Sequence, residues 1–144
     1  MPIPVSNDID FTSVTGAIVG TKTPFAAGQV KVLEIDWTSN AGGVVAATFS
    51  ELNGLLFLVV TKPSAIDIPT DNYDITLIDP NGTDVLEAEG ANRDDTNIEY
   101  LWPDQPVAYP LPFTTIRTYG PHVFNVANAG NTKKGKILFY VIEV

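Results

Sequence analysis

Short apolar segments, each closed by turn-forming residues, constrain this chain more than any other feature. In Val30–Thr38, the side chains of Leu33, Ile35 and Trp37 fall on one side and mostly polar ones on the other. A period of two is typical of a strand with one buried face, so we expect Trp37 in the core. Leu55–Val60 is apolar at every position, which predicts a central strand that is covered on both faces.

Two hairpins are predicted from the turns that follow such segments. Ser39–Gly43 is rich in small and turn-forming residues, and Val44–Phe49 follows it as the second strand of the first hairpin. Asp79–Gly82 is a strong turn sequence after the alternating segment that begins at Tyr73. The second hairpin therefore closes with Thr83–Glu87 as its returning strand.

The rest of the chain continues in the same pattern, and no stretch carries the period of an amphipathic helix. We therefore expect an all-β, single-domain antiparallel β-sandwich of jelly-roll or Ig-like type, with about eight to ten strands. Residues 1–29 would form an N-terminal arm and the first strand or strands, and residues 30–144 the sandwich. The further predicted strands are Ile98–Trp102, Phe113–Thr118, His122–Ala127 and Lys136–Val144.

Composition argues against several classes of protein. The 144 residues carry a formal charge of −9, whereas a free nucleic-acid-binding protein is usually basic. The chain has no Cys and a single His, which excludes disulfides, thiolate metal sites and a multi-histidine centre within one chain. Its longest apolar run is too short to span a bilayer, and its N-terminus lacks the features of a cleaved secretory signal. We therefore expect no nucleic-acid partner, no membrane partner and no secretion.

The charge is distributed unevenly along the chain. Eleven of the seventeen acidic residues lie between residues 66 and 104, where Arg93 is the one basic residue. The C-terminal part is basic through Arg117, Lys133, Lys134 and Lys136. One interpretation is a solvated acidic surface that keeps the protein soluble. The other is a pair of complementary patches that meet between neighbouring copies.

No motif in the chain predicts catalysis. Gly130–Lys136 has the spacing of a phosphate-binding loop, but Ile137 stands where Ser or Thr would bind magnesium. No serine lies in a nucleophile elbow, so we expect His122 to be a surface or half-buried, non-catalytic imidazole. Asp79–Asp84 leaves a structural calcium open, although its glycine is fourth in the loop and not sixth. We predict no catalytic residue and no cofactor, and we assign no metal ligand.

Aromatic side chains beside prolines are the strongest candidates for a contact surface. Tyr100, Trp102, Tyr109 and Phe113 border or lie within the stretch 103–112, which contains four prolines. Such side chains can anchor a protein interface or stack on a sugar ring.

The N-terminal arm is a second candidate for contact. Pro2 and Pro4 favour an extended arm, which would suit the addition of a strand to the edge of a partner's sheet. The complete set of interface candidates is Ile3, Val5, Arg93, Tyr100, Trp102, Tyr109, Phe113, Lys133 and Lys134.

A set of turn and strand segments carries a likeness to known proteins: Asp36–Thr38, Pro69–Leu77, Asp84–Leu86, Gly90–Arg93 and Ala127–Gly130. Together they resemble small β-rich proteins of tailed bacteriophages and prophages. The resemblance covers most of residues 30–144, and it implies a virion component, a capsid decoration protein that clamps neighbouring capsid subunits, often as a trimer. A weaker likeness, in Tyr73–Gly82, is to secreted pre-peptidase β-sandwich modules.

Two functions from different classes follow. The first is a phage structural protein on the outer surface of the head, made in the host cytoplasm, with the major capsid protein as partner and a homo-oligomer as its form. Many weak contacts would then stabilise the particle together. The alternative is a carbohydrate- or host-surface-binding module of a head or tail fibre. A small hydrolase is the third possibility, and it needs a converging pair of carboxylates in a deep pocket.

Overall fold

A computed structural model describes residues 7–24, 30–102 and 116–142 of the chain. Within them the chain forms ten β-strands and no helix, so none that could cross a membrane. The fold class is therefore the predicted all-β one. The strands are β1 (Thr12–Thr15), β2 (Ala17–Pro24), β3 (Val30–Thr38), β4 (Val45–Phe49), β5 (Gly54–Pro63), β6 (Asp74–Ile78), β7 (Glu99–Leu101), β8 (Ile116–Thr118), β9 (His122–Ala127) and β10 (Lys134–Ile142).

The strands form two antiparallel sheets that make a sandwich, as predicted. The four-stranded sheet has the order β1-β4-β9-β6, and the six-stranded sheet has the order β2-β3-β10-β5-β7, with β8 also beside β5. From β3 to β7, and again from β8 to β10, each strand lies in the opposite sheet to its predecessor. An Ig-like sandwich contains hairpins within a sheet, so this alternation favours the jelly-roll alternative.

The first predicted hairpin is wrong in its pairing, although both of its strands are confirmed as β3 and β4. The second forms only in part, through one antiparallel bridge between Ile78 and Asp84. β3 pairs with β2 and β10, whereas β4 pairs with β1 and β9 in the other sheet. The turn at Ser39–Gly43 thus carries the chain across the sandwich. The segment that begins at Tyr73 contains β6, which pairs with β9.

The core lies between the two sheets and contains the expected Trp37. Its largest fully buried side chains include Trp37, Tyr73, Phe49, Phe124 and Phe139. The Trp37 and Tyr73 rings are tilted, with centroids 5.6 Å apart. Burial of a large apolar side chain stabilises a fold by about 1.5–3 kcal/mol, so these rings hold the sheets together.

The predicted returning strand Thr83–Glu87 is wrong beyond Asp84, which forms a single antiparallel bridge with Ile78, because turns follow from Val85 onward. Its neighbours Val85 and Leu86 are both buried, which a strand with one buried face cannot achieve. The Asp84 carboxylate accepts hydrogen bonds from the backbone N–H groups of Leu77 and Leu86, each at 3.1 Å. Glu87 has a φ of 49°, which turns the backbone out of an extended conformation.

The expectation for His122 is also wrong, because this side chain is fully buried. The alternation along β9 turns His122, Phe124 and Val126 inward together. Nδ1 donates a hydrogen bond to the Gly120 carbonyl at 2.8 Å, and the Thr118 hydroxyl donates to Nε2. Burial lowers the pKa of His122 below that of a free imidazole.

Candidate functional site

Exposed apolar side chains form a row along β7, on the outer face of the six-stranded sheet. Ile98, Tyr100 and Trp102 are 54%, 63% and 59% exposed, while Leu101 between the last two is buried. Successive strand residues point to opposite faces, so these three side chains project together from the sheet. We call Ile98, Tyr100 and Trp102 the β7 ridge.

Two anchors hold the β7 ridge against the sheet. Glu99–Leu101 pairs with Val59–Thr61 of β5. Arg93 forms an ion pair with Glu99, with Nη1 and Oε2 3.3 Å apart. The Arg93 guanidinium also donates two hydrogen bonds to the Ala91 carbonyl, at 3.1 and 2.9 Å. The guanidinium of Arg93 is therefore used within the molecule to position the strand.

The loop before β7 is closed around one carboxylate. Asp94 Oδ1 accepts hydrogen bonds from the backbone N–H groups of Thr96, at 2.7 Å, and Asn97, at 2.9 Å. The Asn97 side-chain amide donates to Asp94 Oδ2 at 2.9 Å. These hydrogen bonds lower the pKa of Asp94, and the bond from the Asn97 side chain has the largest effect. The loop that leads into the ridge is therefore closed around a charged carboxylate.

The sheet continues from the β7 ridge as an apolar strip. Tyr100 lies opposite Val60 of β5, and Val60 lies opposite Leu138 of β10. One residue pair further along the same face, Tyr140 packs its ring edge-on to Phe57, with centroids 6.2 Å apart. The β7 ridge thus lies at one side of a broader apolar face that includes Phe57, Val60, Leu138 and Tyr140.

A cleft of about 330 Å³ opens beside this strip at the ends of β3, β5 and β10. It combines amines, a carboxylate and a hydroxyl, which are groups that can form hydrogen bonds with a polar ligand. Its lining residues are Asp36, Lys62, Pro63, Ser64, Lys134, Gly135 and Lys136.

Two of the three cleft lysines have carboxylate partners. Lys136 Nζ lies 2.6 Å from Glu34 Oε1 and 3.7 Å from Asp36 Oδ1. The hydrogen bond to Glu34 is the main cause that raises the pKa of Lys136. Lys134 Nζ lies 3.6 Å from Asp67. Lys62 lies directly opposite Lys136 and forms no ion pair with another described residue.

A second cleft, of about 490 Å³, follows the edge of β2. Asp8, Asp10 and Asp36 line it together with apolar side chains such as Phe11 and Val19. Over the described ranges, no three acidic or histidine side chains are close enough to hold a metal ion.

The Asp79–Asp84 turn, left open as a calcium loop, uses its carboxylates for its own backbone. Asp79 Oδ1 accepts hydrogen bonds from the N–H groups of Asn81 and Thr83 at 2.9 and 3.0 Å. Asp84 binds backbone N–H groups in the same way. The carboxylates of Asp79 and Asp84 therefore stabilise the turn through its backbone N–H groups.

The predicted contact residues are divided among several places. Tyr100 and Trp102 come together on the β7 ridge, and Lys134 lies in the cleft beside that face. Lys133 lies in the turn before β10, where its backbone N–H donates to the Ser39 hydroxyl at 2.8 Å. Arg93 supports β7 from within. Ile3, Val5, Tyr109 and Phe113 lie outside the described residues.

Four residues of this face were not predicted from the sequence as site residues: Glu34, Asp36, Lys62 and Ile98. Alternation along β3 places Glu34 and Asp36 on the outer face. The sequence of β3 alone could therefore have predicted that these two carboxylates share a face. The meeting of Lys62 with Lys136 depends on the pairing of β5 with β10, which joins residues more than seventy positions apart. The phosphate-loop spacing at Gly130–Lys136 lies in a turn and the start of β10.

Comparisons with known proteins leave the family open. No protein-family model matches the sequence. No curated protein matches it. Among solved structures, the chain is similar to one described as a carbohydrate-binding module from the β-sandwich superfamily, with a TM-score of 0.33 and 16% identity over 97% of this chain. The chain spans 57% of the length of that module's chain. A similarity this low carries no conclusion about the ligand.

Proposed function

We propose that the protein is a non-catalytic binding protein that holds a carbohydrate on the outer face of its six-stranded sheet. The observation that carries this proposal is the β7 ridge, where Tyr100 and Trp102 expose more than half of their surface on the face of the sheet that also carries a polar cleft. Tyr and Trp bury large apolar areas while their polar atoms remain free to form hydrogen bonds. A sugar ring has matching apolar and hydroxyl-bearing surfaces.

The spacing of the two aromatic rings suits an extended ligand. Side chains two residues apart on a strand are separated by about 6.8 Å, so Tyr100 and Trp102 could contact successive sugar units. The support beneath them, from β5 and from the Arg93–Glu99 ion pair, limits the motion that ligand binding would have to arrest. A preorganised surface loses less entropy on binding.

The test is binding of the full chain to a glycan array, followed by titration of the best ligand against Tyr100→Ala and Trp102→Ala. We expect each substitution to weaken binding about tenfold, which corresponds to about 1.4 kcal/mol. Tyr119→Ala is the matched control, because Tyr119 is an exposed aromatic residue, 46% exposed, outside the ridge. Absence of any glycan ligand, or equal binding by all three variants, would contradict the proposal.

A second candidate is the capsid decoration protein that the phage resemblance implies, with the major capsid protein as its partner and a trimer as its form. Ile98 favours this candidate, because an aliphatic side chain that is 54% exposed extends the ridge without a face for stacking on a sugar. Exposed apolar rows are common at protein interfaces.

The two candidates predict different effects of Ile98→Ala. A capsid contact would lose occupancy on purified phage heads with Ile98→Ala as well as Trp102→Ala, whereas sugar stacking would be sensitive to Trp102→Ala alone. Mass spectrometry of purified particles supplies the direct test, and absence of the protein from mature particles would exclude the capsid role.

A further inference from the structure

Among the described residues, Lys62 is the cleft lysine without a carboxylate partner. Lys136 and Lys134 each contact a carboxylate, but Lys62 has no ion pair with another described residue. It is half-buried and lies directly opposite Lys136 on the neighbouring strand. An anion beside Lys62 would supply the kind of partner that Lys136 has in Glu34 and Asp36.

We propose that the carbohydrate ligand of this face carries an anionic group, a carboxylate or a sulfate, and that Lys62 binds it. This inference rests on the proposed carbohydrate-binding function. It adds the chemical class of the ligand and a residue that determines specificity.

The position of Lys62 relative to Tyr100 supports the assignment. Tyr100 lies opposite Val60, and Lys62 follows two residues later on the same face of β5, about 6.8 Å along the strand. A sugar ring stacked on Tyr100 would therefore direct a group on its rim towards the Lys62 amine. A charge-assisted hydrogen bond there is stronger than one between neutral groups.

The carboxylates around the cleft contact the other two lysines. Glu34 and Asp36 are on β3 and contact Lys136 from that side, and Asp67 contacts Lys134. β3 and β5 are separated by β10, a spacing of about 9.6 Å. That spacing is close to the Debye length at physiological ionic strength. Salt therefore weakens the repulsion between the β3 carboxylates and an anion at β5.

The net charge of −9 opposes the approach of an anionic ligand. An acidic protein repels anions at long range, so an acidic ligand would bind here through the local contact with Lys62 and not through general attraction. We therefore expect binding to be specific in position and to weaken with salt.

The experiment titrates an acidic oligosaccharide and its carboxyl-reduced or desulfated counterpart against the full chain and Lys62→Gln. Wild-type protein should bind the acidic probe about tenfold more tightly than the neutral one. Lys62→Gln should remove this preference, so that the acidic and neutral probes bind the variant with equal affinity. Lys133→Gln is the control, because Lys133 does not line the cleft, and thermal unfolding checks that each variant is folded.

The possible outcomes distinguish a failure of the Lys62 assignment from a failure of carbohydrate binding itself. Equal affinity of wild-type protein for the acidic and neutral probes, with binding still lost in Tyr100→Ala, overturns the role of Lys62 and leaves carbohydrate binding intact. An acidic preference that persists in Lys62→Gln also overturns it. Failure of both probes, and of every glycan on the array, overturns the proposed function itself.

Discussion

His122 is a buried titratable group that makes the fold sensitive to mild acid. Its two ring nitrogens are both hydrogen-bonded, one to the Gly120 carbonyl and one to the Thr118 hydroxyl. Phe49 packs beside the ring, with centroids 6.1 Å apart. The surroundings therefore favour the neutral imidazole, and burial lowers its pKa from the usual 6.5.

The first prediction is that the free energy of unfolding decreases as the pH falls below 6.5. The unfolded chain then binds a proton at His122 that the folded chain does not, so acid favours unfolding. The slope contributed by this group is at most about 1.4 kcal/mol per pH unit. Urea unfolding at several pH values between 7.5 and 5 measures the effect.

His122→Gln should flatten this part of the profile while retaining hydrogen-bonding capacity at the site. Since the chain has one histidine, a single imidazole resonance reports its pKa directly by NMR. A pKa at or above 6.5 in the folded protein, or parallel pH profiles for the two proteins, would refute the prediction.

At the scale of elements, two sheet edges, those at β6 and β2, are covered by neighbouring loop segments. The N–H of Ile75 in β6 donates to the Gly90 carbonyl at 2.8 Å, and the N–H of Arg93 donates to the Tyr73 carbonyl at 2.7 Å. Residues 84–93 therefore cover the outer edge of β6. At the edge of β2, Ile9 donates to the Gly20 carbonyl at 2.8 Å. Covered edges cannot pair with another chain.

The second prediction is that Gly90→Ala destabilises the protein by about 2 kcal/mol or more. A Cβ at Gly90 would lie 2.2 Å from the Ile75 carbonyl oxygen, and the backbone of β6 is fixed by its pairing with β9. The loop would have to move away from the edge. Urea unfolding gives the change in stability, and light scattering detects association through the uncovered edge.

Gly42→Ala is the matched control for this substitution. A Cβ there would meet only the side-chain oxygen of Asn40, at 3.4 Å, so stability should change by less than about 0.5 kcal/mol. Equal stability of Gly90→Ala and wild type would show that the loop does not depend on this close approach.

The sequence predicts individual strands well because alternation is a local signal. β3, β5, β9 and β10 lie where alternating or fully apolar segments occur. The same alternation could have placed His122 inward, since it shares a face with Phe124 and Val126. The exposed aromatics of the ridge, Tyr100 and Trp102, were likewise found from their local context.

Strand pairing could not be predicted, because alternation gives the buried face of a strand and not the sheet to which it belongs. A turn such as Ser39–Gly43 serves a hairpin and a crossing between sheets equally well. The cleft could not be predicted for the same reason, since Lys62 lies opposite Lys136 only through the pairing of β5 with β10. The loop at Thr83–Glu87 was mistaken for a strand because the capping role of Asp84 depends on Leu77 in β6.

At the scale of the whole molecule, most strand pairs join distant parts of the chain. β10 lies between β3 and β5 and pairs with both along most of its length. β9 lies between β4 and β6 in the same manner. Each sheet is therefore assembled from the two halves of the chain, and neither half contains a complete sheet.

The third prediction is slow refolding, in the range of milliseconds to seconds. Contacts between residues far apart in sequence require closure of long loops before they stabilise the chain. Stopped-flow fluorescence of Trp102→Phe would follow Trp37 alone, because the chain has two tryptophans and Trp37 is fully buried. Complete refolding within microseconds would contradict this view of the topology.

The central position of β10 also has a consequence for synthesis on the ribosome. While residues 134–142 are still in the exit tunnel, β3 and β5 have no strand between them, and the growing sheet has an open slot with two exposed edges. Nascent chains would then be vulnerable to cross-pairing with one another, and a chaperone that shields this slot would raise the yield of native protein. A synthetic peptide with the sequence of β10, supplied to chains that stop before it, would be expected to fill the slot from outside.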